Sequence, residues 1–311
     1  MSNISNLKVG VTGSNGFLGK HLCSRLTKLG CTVIGCDSKR YNLTYRDECL
    51  QWLVNTPDVV IHAAGNVGGI QANQKHPGSF MYDNLIMGMH LIEGCRLGWA
   101  KRFIQIGTTC SYPDVIPMPF KEEDIWKGYP EPTNAPYGIA KRTLYELIDA
   151  YKKEYGFNGT SVVLANLYGP GDNFDPEKSH VIPALIKKIV DKYDSNDALV
   201  IDVWGRGNAT RDFLYVEDAV DGIIKVLESD TKESIVNIGS GNRISINDVI
   251  RTILKVLGDP TCVLKYDTSK PDGQMKRVLD ISKANKLGWE PTTTFEEGIR
   301  KTIEYFRNSK R

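Results

Sequence analysis

Leu7-Lys8-Val9-Gly10-Val11-Thr12-Gly13-Ser14-Asn15-Gly16-Phe17-Leu18-Gly19 decides the fold. The first six residues read as a short buried strand that runs directly into a glycine-rich turn. Leu18, Leu22, Leu26 and Leu29 then recur at helical spacing, and Gly30 is placed to end that helix. A plain turn between strand and helix would tolerate the same glycines. The succession of strand, glycine turn and helix instead points to a dinucleotide site, because it lets backbone approach a pyrophosphate and seats that group on a helix N-terminus. Gly13, Asn15, Gly16, Phe17, Leu18 and Gly19 are the residues expected against the cofactor.

The chain beyond this stretch keeps alternating. A second strand, Cys31 to Cys36, ends at Asp37, placed where an acid commonly binds the adenosine ribose and favours NAD. Ser38, Lys39 and Arg40 follow and suit the extra phosphate of NADP, so this stretch leaves the cofactor open. A third strand, Val59 to Ala64, delivers Ala63, Ala64 and Gly65 to the sheet edge, while His62 inside it reads as a core residue. A helix is expected from about Gly78 to Leu97, and a fourth strand, Arg102 to Ile106, leads to Gly107-Thr108-Thr109-Cys110-Ser111-Tyr112-Pro113. A proline-rich loop follows, then a helix from Tyr137 to about Tyr155 and a fifth strand, Ser161 to Ala165, running into Asn166 and Leu167. This order predicts an α/β protein with a Rossmann-type, doubly wound parallel sheet.

The pattern changes after that. A helix opens at His180, a strand-like segment runs from Leu199 to Trp204, and Ser245-Ile246-Asn247-Asp248 forms a capping box that starts another helix. The C-terminal stretch reads as irregular until an amphipathic helix near Phe295 to Phe306. We therefore expect a dinucleotide-binding domain of residues 1–167 plus about 212–240, and a smaller C-terminal substrate lobe of 168–211 plus about 241–311.

The 311 residues are 41% hydrophobic and 24% charged, with a formal net charge of +2 that is spread without a basic block. Nucleic acid is disfavoured as a partner on that ground. No apolar run approaches the ~20 residues of a membrane span, and the polar start of the chain lacks a signal-peptide core, so a cytoplasmic location and no membrane partner are expected. Seven cysteines without zinc spacing read as free, mostly buried thiols, and no metal is expected.

Tyr137 and Lys141 stand four apart, one helical turn, on one face. An ammonium there is expected to favour the phenolate, bringing a phenol that ordinarily titrates near ~10 closer to neutrality. Such a Tyr can exchange protons with the oxygen of a carbon that gains or loses hydride.

The fingerprint with Thr108, Tyr137 and Lys141 resembles the extended short-chain dehydrogenases/reductases. The resemblance narrows on Ala63 to Asn73, Gly107 to Pro113, Glu131 to Tyr137, Asn166 to Phe174, Ser179 to Leu185 and Lys270 to Gly273, blocks similar to those of the GDP-L-fucose synthase family. That resemblance covers nearly the whole chain and implies C3/C5 epimerisation of GDP-4-keto-6-deoxy-D-mannose followed by reduction at C4. It implies Thr108 against the 4-keto oxygen, Tyr137 as the acid at C4, Lys141 as its partner and ribose contact, and Cys110 and His180 as the proton-exchanging pair at C3 and C5. It also implies cofactor contacts from Asn166, Leu167 and His180, and substrate contacts from Lys188, Trp204, Arg211 and Asp272. NADP(H) is the cofactor implied, a GDP-sugar the ligand, and a homodimer the expected assembly. The chain departs from the family in its fingerprint, in Asp37, which leaves NAD(H) open, and in Lys188, where the family has an arginine that grips phosphate with two bonds. A C4-epimerase or simple 4-ketoreductase would need only Tyr137, Lys141 and the cofactor; a binding protein that only senses dinucleotide would be expected to lack one of that pair.

Overall fold

Strands β1 (Lys8–Thr12), β2 (Thr32–Cys36), β3 (Val59–His62), β4 (Arg102–Thr108) and β5 (Gly159–Leu164) sit where the apolar runs predict them. The computed structural model describes residues 4–55, 57–175, 179–229, 231–269 and 276–310. After β5 come the short strands β6 (Asn166–Tyr168), β7 (Val200–Trp204), β8 (Thr210–Arg211) and β9 (Phe213–Tyr215). Four more follow: β10 (Ile235–Ile238), β11 (Ile244–Ser245), β12 (Val263–Asp267) and β13 (Lys276–Arg277).

The main sheet runs β10-β5-β4-β3-β1-β2, every pair parallel. The chain steps outward from β1 to β2, then returns to β3 on the other side, and the carboxyl ends of β1 and β3 border that reversal, where ligands of such folds bind. Alternate strand residues face opposite layers. Val59 and Ile61 join an apolar cluster with α1 (Phe17–Lys28) and α7 (Val216–Glu228), while Val60 and Phe103 join one with α2 (Arg46–Leu53), α4 (Pro77–Gly94) and α5 (Ala135–Tyr155). Here α3 spans Ile70–Lys75 and α6 spans Val181–Asp194. Leu22 and Leu26 of α1 are fully buried, so truncating either to Ala costs about 2–5 kcal/mol.

A separate cluster gathers Ile182, Ile186 and Ile189 of α6, Ile201 and Val203 of β7, Val249 and Ile253 of α8 (Ile246–Val256), and Ile299 and Ile303 of α10 (Phe295–Asn308). The helices α9 (Ser282–Lys286) and α10 complete the chain. The capping box forms: the Asp248 amide donates to Ser245 Oγ at 3.0 Å, and the Ser245 amide donates to the Asp248 carboxylate at 3.2 Å. Two regions are more regular than the sequence suggested. A single tight turn, Glu122–Trp126, interrupts the proline-rich loop, and β12, β13 and α9 occupy the C-terminal stretch read as irregular. Leu279, Ala284 and Trp289 also pack into the sheet's core, although they follow residue 241. Among the described residues, no helix is long and apolar enough to cross a membrane.

Candidate active site

A cleft of about 730 Å³ opens over the carboxyl ends of β1, β3 and β4. Its floor is the glycine turn. Gly13 has φ +67°, a conformation side chains rarely adopt, and a Cβ on Gly19 would meet the Gly13 carbonyl oxygen at 2.0 Å. Only glycine therefore lets α1 start this close to β1, with its N-terminus toward the cleft. Gly13, Asn15, Gly16, Phe17, Leu18, Gly19, Asp37, Ala63, Ala64, Gly65, Asn166 and Leu167, the residues expected against the cofactor, all line the cleft. The Thr12 hydroxyl accepts from the Ala64 amide at 3.0 Å and pairs with His62 Nδ1 at 2.8 Å, fixing β1 to β3 beneath the ligand edge. His62 is fully buried, and burial together with the Lys141 charge keeps its ring neutral.

Lys39 and Arg40 behave differently. The wall at this end runs through Asp37, Ser38 and Tyr41, and the Arg40 guanidinium lies over the Tyr41 ring at 5.1 Å. The Asp37 carboxylate accepts from the Lys39 amide at 2.9 Å, so the acid is held at the cleft by its own turn.

Thr108, Cys110, Tyr137 and His180 meet around the same cleft. They come from three separate places: the end of β4, the first turn of α5 and the N-cap of α6. The Thr108 amide donates to Tyr145 Oη at 3.1 Å, and the Cys110 amide donates to Thr108 Oγ1 at 3.2 Å, which locks the turn carrying the thiol. The Thr108 and Tyr137 side chains hydrogen-bond to each other.

The electrostatics correct one expectation. Burial, with lesser contributions from Cys110 and Tyr145, pushes the Tyr137 phenol well above its usual range, outweighing the Thr108 hydrogen bond. Lys141 does not bring it toward neutrality. The ammonium is itself only 3% exposed, lies 6.0 Å from the Tyr137 ring centroid, and donates to the Ile106 carbonyl at 3.2 Å. Desolvation lowers its pKa to about 8. Tyr137 is thus a neutral phenol, the form that gives a proton. His180 is pushed below the usual imidazole value by withdrawal of its ring into the cleft, which makes its protonated form a readier donor.

The expected substrate contacts sit beyond this constellation. Lys188 on α6 donates to the Asp202 carbonyl at 2.8 Å, and Trp204, 57% exposed, ends β7. Arg211 lies on β8 paired with Arg277 of β13, and Asp272 falls outside the described residues.

Three residues escaped the sequence reading. Tyr145 extends the Tyr137/Lys141 stripe by another four residues, a signal that was legible. Asp172 lines the cleft with one carboxylate oxygen buried and unpartnered among the described residues; burial raises its pKa to about 7. Arg277, 7% exposed, places Nη1 at 3.6 Å from Cys110 Sγ and 3.5 Å from Thr109 Oγ1, a proximity no spacing in the sequence announces. All seven cysteines are free, with Cys31, Cys36, Cys49 and Cys95 buried. Among the described residues no group of His, Cys, Asp and Glu could hold a metal ion.

Residues 9–239 match the NAD dependent epimerase/dehydratase family. A GDP-L-fucose synthase of Sinorhizobium fredii is 38% identical over 96% of this chain and 95% of its own. A GDP-L-colitose synthase of Yersinia pseudotuberculosis is 34% identical over 98% and 99% of the two chains. Among solved structures, a GDP-L-fucose synthetase from Naegleria fowleri bound to NADP superposes with TM-score 0.88 at 28% identity, covering 100% of this chain and 97% of that one.

Proposed function

Because the chain belongs to the GDP-L-fucose synthases of the NAD dependent epimerase/dehydratase family, we propose that it epimerises GDP-4-keto-6-deoxy-D-mannose at C3 and C5 and reduces it at C4. The observation that carries this reading is the convergence of Cys110 and His180 on the same cleft as Thr108 and Tyr137. A simple 4-ketoreductase has no use for the first two.

The cofactor fits the observed cradle: the glycine turn that a Cβ would fill, and a cleft long enough to run from Asp37 to Tyr137. NADP(H) bound there supplies the hydride for C4. Protons beside a ketone are acidic because charge spreads onto the oxygen, so one oxygen-stabilising pair serves both neighbouring carbons. Thr108 and Tyr137 donate to that oxygen. Cys110 takes a proton from one face of C3 and then C5, and His180 returns one from the other face; solvent exchange resets the thiol and the imidazole. Tyr137 gives its proton to the oxygen at the end, and Lys141 holds the cofactor ribose.

In this reading residues 1–167 with about 212–240 hold the cofactor, and 168–211 with about 241–311 hold the GDP-sugar. Lys188, Trp204 and Arg211 contact the substrate, with Asp272 assigned there by resemblance. Lys188 meets phosphate as a point charge. We place the enzyme in the cytoplasm as a homodimer; exposed Met81, Tyr82 and Met89 on α4 support a pairing face there. Incubation with GDP-4-keto-6-deoxy-D-mannose and NADPH, followed by identification of the sugar, tests the function: GDP-L-fucose supports it, and an unepimerised reduced sugar refutes it.

A further inference from the structure

Both backbone groups of Thr108 are held by side chains. Its amide donates to Tyr145 Oη at 3.1 Å, and its carbonyl accepts from Ser111 Oγ at 2.5 Å. The two holding groups also meet each other, with Ser111 Oγ 3.4 Å from Tyr145 Oη. Ser111 has a single hydroxyl proton, and it goes to the carbonyl, so the phenol is the donor of that contact. Burial pushes the Tyr145 pKa up to about 12, which keeps the proton on the phenol. A closed ring of hydrogen bonds therefore runs from the Thr108 amide, through Tyr145 and Ser111, back to the Thr108 carbonyl.

The chain makes room for this ring. Tyr145 is 1% exposed and stands on α5 about two helical turns beyond Tyr137. A Cβ on Gly107 would meet Tyr145 Oη at 2.3 Å and Cζ at 3.0 Å, so glycine before Thr108 is what lets the phenol reach the strand. Ser111 is fully buried, and Arg142 of the same helix donates through Nε to its carbonyl and through Nη1 to the Gly128 carbonyl at 2.7 Å. The Tyr137 side chain bonds to the Thr108 side chain. Helix α5 thus grips Thr108 twice, once at its side chain and once at its amide.

We propose that Tyr145 and Ser111 are positioning residues that aim Thr108 at the substrate oxygen, serving epimerisation and reduction alike. The inference rests on the reading in which Thr108 donates to the 4-keto oxygen. That oxygen gathers charge when a proton leaves C3 or C5, and again as hydride reaches C4. A clamp that works through Thr108 slows both reactions by similar factors. One that worked through Tyr137 would weigh on reduction, which takes the phenol proton, and one through Cys110 on exchange.

The test compares Tyr145→Phe, Ser111→Ala and the double variant in the full-length protein. Deuterium entry at C3 and C5 from heavy water and oxidation of NADPH are followed with GDP-4-keto-6-deoxy-D-mannose. Each single variant should lower kcat for both by about 10- to 100-fold, the scale of a small misplacement of a catalytic group, with the KM for NADPH unchanged. The double variant should fall no further than the worse single one, because the bonds form one ring. Amide hydrogen exchange of residues 107–112, which needs no substrate, should quicken in each variant. Unchanged amide exchange would overturn the clamp, and so would parent-like rates in folded Tyr145→Phe, even with a lowered melting temperature. A loss confined to reduction or to exchange would overturn the assignment to Thr108. Ser111→Ala keeps the test decisive if Tyr145→Phe fails to fold. A parent enzyme that neither exchanges nor reduces this sugar would refute the functional reading instead, and amide exchange would still judge the clamp.

Discussion

Gly138 lies against the backbone of Cys110: a Cβ on Gly138 would meet the Cys110 carbonyl oxygen at 2.2 Å. The helix that carries Tyr137 and Lys141 is thereby pressed directly onto the turn that carries the thiol. One glycine sets the distance between the helix of Tyr137 and the turn of Cys110, the two halves of the proposed site.

Gly138→Ala should therefore harm the enzyme. Alanine is the better helix former by about 1 kcal/mol, but the clash is with a backbone atom that cannot rotate away, so overpacking wins at about 1–3 kcal/mol. A lowered melting temperature and turnover reduced more than tenfold are the expected outcomes. A stabilised, active variant would show that the contact is slack.

Tyr137→Phe should nearly abolish reduction at C4 while NADPH still binds, because the neutral phenol supplies the proton as hydride arrives. Loss of a general acid costs on the order of 10²–10⁴ in rate. Stopped-flow oxidation of NADPH measures it, and turnover within tenfold of the parent would remove Tyr137 from the mechanism.

Lys141 sets an alkaline limit. Its pKa is lowered to about 8 by burial, so the ammonium is lost as pH rises through that value, and with it the charge proposed to hold the ribose. For folding the sign runs the other way. Above about 8 the folded state binds fewer protons at this lysine than the unfolded chain, so stability does not fall there on its account. The kcat/KM for NADPH should decline about tenfold per unit above that pKa while the protein stays folded. A flat profile to pH 9.5 contradicts this.

Asp37 works against the 2′-phosphate that the cofactor carries, since it lines the cleft and its position is fixed by the Lys39 amide. NADPH should still outperform NADH in the parent, and Asp37→Asn should widen that preference several-fold. Measured kcat/KM ratios decide it; a ratio that stays the same or narrows would mean that the carboxylate does not oppose the 2′-phosphate.

The sheet and the dinucleotide edge were legible because each rests on local chemistry: apolar runs of strand length and glycines between a strand and a helix. Thr108, Cys110, Tyr137 and His180 could be named from the resemblance, and the fold explains why three distant segments converge. The electrostatics were not legible. A spacing of four puts Lys141 beside Tyr137 but says nothing of desolvation, which moves both groups in the direction that keeps them neutral. Arg277 was hidden for a similar reason. Its contact with Cys110 is made by a two-residue strand that pairs with β8 only in the folded chain, and neither strand is long enough to show a period.

The central claim is that Cys110 and His180 carry out epimerisation at the site where Tyr137 completes reduction. Deuterium incorporation from heavy water into the GDP-sugar, followed by mass spectrometry in Cys110→Ser, tests it most directly. A serine hydroxyl is far harder to deprotonate than a thiol, so exchange at C3 and C5 should stop while C4 reduction continues in part and an unepimerised reduced sugar accumulates. Two deuterons per sugar at the parent's rate would show that the thiol only packs against its neighbours, and the epimerase assignment would fall.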